Sequence, residues 1–139
     1  MSRNLISEPM LNAVTLADEL TNYTPWFDVH DMGRWSILFG AVKSASAGNI
    51  TVTVEGSPDS ATGLNDGNPS AASVLVTPLS VLNVQTVATT LTISATSNNV
   101  LSKIPSDALR SIRVKYDAAA TCDVTNKWVL SFWLIGAAG

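Results

Sequence analysis

His30 is the chain's one histidine and Cys122 its one cysteine, so acid–base or nucleophilic chemistry would have to be assembled from them and eleven carboxylates. His30 lies in Asp28-Val29-His30-Asp31, where an extended backbone points Asp28 and His30 the same way, the beginning of a base–orienter pair or a metal site. The partners such sites need are missing from the pattern: there is no G-x-S-x-G elbow, no His/Cys cluster, no P-loop and no G-x-G-x-x-G run. His30 is therefore expected as a strand-end histidine bonded to a carboxylate. Cys122 has no basic neighbour or helix start to lower its pKa, and a single cysteine closes no intrachain disulfide, so it reads as a small, partly buried apolar residue.

Oxygen-rich side chains offer two further chemistries. Asp59 and Asp66 sit in a loop whose Asp, Asn and Ser oxygens suit calcium, yet EF-hand spacing is absent and Asx turns use the same residues. Glycoside hydrolysis needs a carboxylate pair, but of three glutamates Glu8 and Glu19 fall in the N-terminal segment. The expectation is a chain that is not an enzyme and uses no cofactor or metal. Trp26, Trp35, Trp128 and Trp133 remain: a sugar-stacking platform if exposed, core and interface anchors if not.

What must position these residues is a set of strands. From Trp26 onward the apolar spacing is two, with Val, Ile, Thr and aromatic residues enriched between turn-forming segments. Residues 50–55, 91–95 and 112–116 alternate apolar with polar side chains, as strands with one face on a core do. Trp35-Ser36-Ile37-Leu38-Phe39 begins the same way, but Leu38 makes its second face apolar too. Residues 127–136 are apolar on both faces: Trp128, Leu130, Phe132 and Leu134 on one, Val129, Trp133 and Ile135 on the other. One face packs on the opposite sheet; the other calls for cover by the N-terminal segment or by a neighbouring subunit. Short strands around Val74-Leu75-Val76 and Leu82-Asn83-Val84 bring the total to seven or eight. Residues 43–49 read as a hairpin connection, 104–107 as a turn and 56–70 as a long loop of the kind that often carries function. Residues 1–24 follow neither period, and read as an arm with at most one or two helical turns that docks on another surface. The division is thus an arm, 1–24, and a single antiparallel β-sandwich domain, 25–139.

Composition narrows the function. Of 139 residues 46% are hydrophobic and only 14% charged, and the uncharged polar surface falls to 30 serines and threonines. Chains this apolar are not intrinsically disordered. A net charge of -3 with eight scattered basic residues argues against nucleic-acid binding. No run of about 20 apolar residues spans a membrane, and the start lacks the apolar stretch of a secretory signal, so synthesis in a cytoplasm without export is expected.

Four segments in order, Trp35 to Phe39, Gly48 to Asp59, Leu109 to Tyr116 and Trp128 to Phe132, carry a resemblance. A hydrophobic strand, the run Gly48-Asn49-Ile50-Thr51-Val52-Thr53-Val54-Glu55-Gly56-Ser57-Pro58-Asp59, a variable loop, the strand Ile112-Arg113-Val114-Lys115-Tyr116 and a closing apolar strand resemble the small β-sandwich virion proteins of tailed bacteriophages. Galactose-binding-like jelly rolls share the Glu55-x-Ser57-x-Asp59 run and the arginine strand. The resemblance covers residues 26–136 and implies a jelly-roll decoration, or cement, protein on the capsid exterior of a virion. It further implies a homotrimer that clamps neighbouring copies of the major capsid protein. On this reading Trp128, Phe132, Trp133 and Ile135 pack core and subunit contacts, and the arm around Met10, Leu11, Leu16 and Leu20 meets the capsid. The alternatives are a carbohydrate-binding module, with a glycan partner at the 57–70 loop and an exposed tryptophan, and a neck or tail component.

Overall fold

A computed structural model describes residues 5–65, 77–78, 81–83, 86–88, 90–103, 109–119 and 121–138. It is an all-β sandwich. One sheet, sheet A, runs β1 (Leu5–Leu16), β12 (Trp128–Ala138), β4 (Met32–Lys43), β10 (Ser97–Ser102), β7 (Val81–Asn83) and β8 (Thr86–Ala88). The other, sheet B, runs β2 (Asn22–Tyr23), β11 (Ser111–Ala118), β5 (Ile50–Ser57) and β6 (Thr77–Pro78), with β3 (Phe27–Asp28) also on β11 and β9 (Leu91–Ile93) also on β5. All described pairings are antiparallel.

The period of two decides which side chains face inward. Ile37 and Phe39 of β4, Val52 and Val54 of β5, Val114 of β11 and Trp128, Leu130, Phe132 and Leu134 of β12 are all fully buried. Phe132 joins the layers: its ring stands edge-on to Phe39 at 4.7 Å in its own sheet and to Tyr116 at 5.5 Å across the core. Aromatic pairs favour this geometry. The Trp128 indole N–H donates to the Gly48 carbonyl at 2.8 Å, so the one polar atom of that buried ring is satisfied and the β4–β5 connection is fastened to the core; that connection crosses from sheet A to sheet B and is not the hairpin expected at residues 43–49, since β4 and β5 do not pair.

The N-terminal segment differs from expectation. Leu5–Leu16 is a strand hydrogen-bonded along β12, with Met10 and Leu16 buried in the common core. Register shifts between Pro9 and Leu11 and between Leu11 and Val14 explain why its apolar residues follow no single period. In the second irregularity Ala13 takes a positive φ of 51°, and its N–H donates to Ser131 Oγ at 3.0 Å. The segment lies beside β12, not over it, so it does not supply the second cover that the twice-apolar strand calls for. Within the segment expected as a 56–70 loop lies a short helix, α1 (Ala61–Asn65). Asp66 to Ser70, Val74 to Val76 and Ile104 to Asp107 lie outside the described residues.

Candidate assembly interface

His30, Asp28 and Cys122 each make contacts of their own and do not converge on one site. His30 Nε2 lies 3.3 Å from Asp31, both side chains exposed, so the expected carboxylate partner is Asp31 and not Asp28. Asp28 Oδ1 instead accepts from Ala61 N at 2.9 Å and Ser111 Oγ at 3.0 Å, holding the start of α1 against β11. Among the described residues no three His, Cys, Asp or Glu side chains gather to hold a metal. Cys122 is buried, as expected, and its thiol donates to the Leu16 carbonyl at 3.3 Å. Burial, and then the Asp18 charge, push its pKa up, away from thiolate chemistry.

The motif behind the resemblance is a structural network. Glu55 and Arg113 are cross-strand partners on β5 and β11, and Arg113 Nε meets Glu55 Oε1 at 2.8 Å. The guanidinium also lies 4.0 Å from the Tyr23 ring centroid and 4.7 Å from that of Trp26. Ser57 Oγ accepts from Asp59 N at 3.2 Å, and the single Ser111 hydroxyl proton is shared between the Asp59 carbonyl and Asp28 Oδ1. Asn65 closes the arrangement: its side-chain amide accepts from Trp26 N at 2.7 Å and donates to Trp26 O at 2.9 Å. The run from Glu55 to Asp59 and the arginine strand therefore shape the start of the long loop and leave Glu55 and Arg113 committed to each other.

Of the residues expected at an interface, Met10, Leu16, Trp128 and Phe132 are core residues and not surface contacts, because strand alternation turns each of them inward. Leu11 is half-buried and packs against that core. Leu20 and Ile135 are exposed and Trp133 is half-buried. Trp26 and Trp35 are buried as well, so the sugar-stacking platform finds no fully exposed tryptophan.

Trp133 and Ile135 belong to a surface that the strand register assembles, the outer face of sheet A. Across it Pro9 of β1 pairs with Trp133 of β12, Trp133 with Leu38 of β4, and Leu38 with Val100 of β10, one transverse apolar row over four strands. A second row joins Val129 to Val42. Between them Ser131, Gly40 and Asn98 line up, and without a side chain at Gly40 the surface sinks into a hollow of about 410 Å³ edged by Val42, Val129, Thr96 and Asn98. Beyond the first row Ile135 pairs with Ser36, whose hydroxyl bonds that of Ser102 at 2.8 Å. Leu38, Val42, Val100 and Ile135 are 38%, 56%, 42% and 38% exposed. Arg34 is the single charge among the described outward positions of β1, β12, β4 and β10. Sheet B is the opposite case, presenting Glu55, Arg113, Lys115 and Asp117 on its outer face. Leu38 and the second apolar face of β12 were legible as sequence; Val42, Val100 and the Gly40 hollow were not, because only register brings them into rows with those residues.

No protein-family model matches the chain, and no curated protein matches its sequence. Among solved structures it is similar to the SPBc2 prophage-derived protein YomS, at 12% identity and a TM-score of 0.50, over 98% of this chain and 96% of that one. It is similar also to the PBSX exported protein XepA, at 12% identity and a TM-score of 0.57, with 96% of this chain spanning 37% of that one. A chain of the T13 IBDV viral particle aligns at 10% identity and a TM-score of 0.48, over 97% of this chain and 31% of that one. The likeness to YomS and XepA is one of fold, a two-layer antiparallel sandwich.

Proposed function

We propose that the chain is a structural virion protein of decoration, or cement, type: it binds the major capsid protein on the outside of a phage head as an oligomer and performs no catalysis. The observation that carries the reading is the outer face of sheet A, an apolar, nearly uncharged surface across four strands. Contiguous exposed apolar surface of this kind marks interaction sites. The fold shared with a prophage-derived protein over almost the full length of both chains supports it. So does the strand order: β1-β12-β4-β10 faces β2/β3-β11-β5-β6, with first and last strands adjacent and the chain passing repeatedly between sheets, as in a jelly roll. Binding only to the assembled shell would stabilise that shell by mass action, about 2.7 kcal/mol per site at a hundredfold excess over Kd.

The test uses particles produced without this chain, to which the purified protein is added back. Saturable binding to the exterior of heads, seen by cosedimentation and electron microscopy, with a rise in the temperature at which heads break open, is the expected result. Binding confined to the neck or tail would overturn the decoration role, and absence from particles would overturn the virion reading. Truncating residues 1–20 is not a clean probe of the N-terminal segment, because it removes β1 and the buried Met10 and Leu16. Leu20→Asp alters an exposed residue instead and tests whether that segment touches the capsid.

A further inference from the structure

Resting on the assembly reading, we infer that the outer face of sheet A is self-complementary and pairs with the same face of a second copy about a two-fold axis. Three observations select a copy of this chain as the occupant. The first is charge. Each chain carries a net charge of -3, yet the outward positions of β1, β12, β4 and β10 hold only Arg34, at one end. Two copies approaching by this face bring together the surface on which their like charge is least, whereas the Glu55, Arg113, Lys115 and Asp117 face stays in water.

The second is relief. The Pro9–Trp133–Leu38–Val100 row is a ridge, and the Ser131–Gly40–Asn98 row beside it is the hollow. With the axis between Leu38 and Gly40, the ridge of each copy enters the hollow of the other, and both cavities fill together. A contact that uses the same patch on both partners is closed at two copies. Asn98 and Ser131 at the margins supply uncharged hydrogen-bonding groups that can serve either copy.

The third is area. β1, β12, β4 and β10 are 12, 11, 12 and 6 residues long. At about 3.3 Å rise and about 4.8 Å strand spacing they present roughly 600 Å² per copy, hence roughly 1,200 Å² in a pair, the lower end of stable interfaces. The trimer implied by the sequence resemblance cannot be made by this contact alone.

Light scattering on the purified full chain, from micromolar to millimolar, tests the inference. The expected mass is twice 14.6 kDa. Leu38→Asp, at a position exposed in the single chain, is expected to weaken the pair by on the order of 100-fold or more, because the new carboxylates would be buried without partners. Gly40→Ala fills the hollow while its Cβ meets nothing in its own chain nearer than Asn98 Oδ1 at 3.4 Å, and is expected to weaken pairing about tenfold, roughly 1.4 kcal/mol. Val124→Asp, at a residue 80% exposed and off the face, is expected to leave the mass unchanged. Circular dichroism confirms that each variant folds. A single-chain mass throughout, a trimer, or a folded Leu38→Asp variant that pairs as before would each overturn the inference. The particle experiment is separate: a monomer that still decorates heads sinks only the pairing, and a pair that ignores heads sinks only the decoration role.

Discussion

Arg113→Ala is expected to be among the most damaging changes outside the apolar core. The substitution removes the 2.8 Å contact to Glu55, whose side chain is only 12% exposed, and lifts the guanidinium from the Tyr23 and Trp26 rings. A hydrogen bond between charged groups contributes about 1.5–3 kcal/mol, and each cation–π contact about 0.5–1 kcal/mol where partly exposed. These contacts share one side chain and are not additive, so the expected loss is about 3 kcal/mol. For 139 residues the unfolding entropy near Tm is about 0.3 kcal/mol/K, which puts the shift in Tm at about 10 °C. Urea titration followed by tryptophan fluorescence gives the free energy, and a thermal melt gives the shift. Most of the loss is ascribed to stranding Glu55, so Arg113→Met combined with Glu55→Gln should cost less than Arg113→Ala alone. A loss under about 1 kcal/mol, or no recovery in the double variant, would refute that reasoning and mean that water reaches Glu55 as easily as arginine does.

Gly136→Ala drives a Cβ into Met32 Sδ, so the buried thioether must move; a loss of about 1–2 kcal/mol in urea unfolding is expected, and less when Met32→Leu accompanies it. Thr121 is β-branched at a φ of 74°, and Thr121→Gly is expected to gain about 0.5–1 kcal/mol, read as a higher urea midpoint with unchanged slope. Cys122 and Tyr116 both have pKa values raised by burial and then by Asp18, so their protonated forms favour the fold below the unfolded-state values and that contribution is lost as pH rises through the folded ones. Tm should therefore fall from neutral to strongly alkaline pH, less steeply in Cys122→Ser and Tyr116→Phe, and a native thiol that reacts with alkylating reagents at neutral pH would contradict the burial argument.

The long strands were legible because each carries its own pattern: β5, β11 and β12 appear within a few residues of their positions from the alternation of Ile50 to Glu55 and Ile112 to Tyr116 and the apolar run before Gly136. β1 was not, since its two register shifts break the period that would have announced it, and Pro9 and Glu8 imitate an arm. β10, Ser-Asn-Asn-Val-Leu-Ser, lacks strand-forming side chains apart from Val100 and Leu101 and owes its conformation to pairing with β4. The candidate face was half-legible. A sequence shows that Leu38, Trp133 and Ile135 have no polar alternation to explain them, but whether Leu38 stands beside Trp133 or two residues away depends on hydrogen-bond register, a property of two segments almost a hundred residues apart. Trp128 and Phe132 take the core part of their expected role, while Met10 and Leu16, read as arm residues, are drawn into the same core by the pairing of β1 with β12.

The place of β12 between β1 and β4 also sets an order of events during synthesis. Until residues 128–138 have cleared the ribosome, sheet A lacks the strand that joins its first segment to its fourth, and Met10, Leu16, Ile37 and Phe39 have no completed layer to close over them. Pairings this distant along the chain form slowly, and unpaired strand edges waiting for a partner invite association between nascent copies. The apolar rows of the finished sheet are thus a hazard during the seconds before β12 arrives, and slowing translation just ahead of Trp128 is the manipulation that would reveal it.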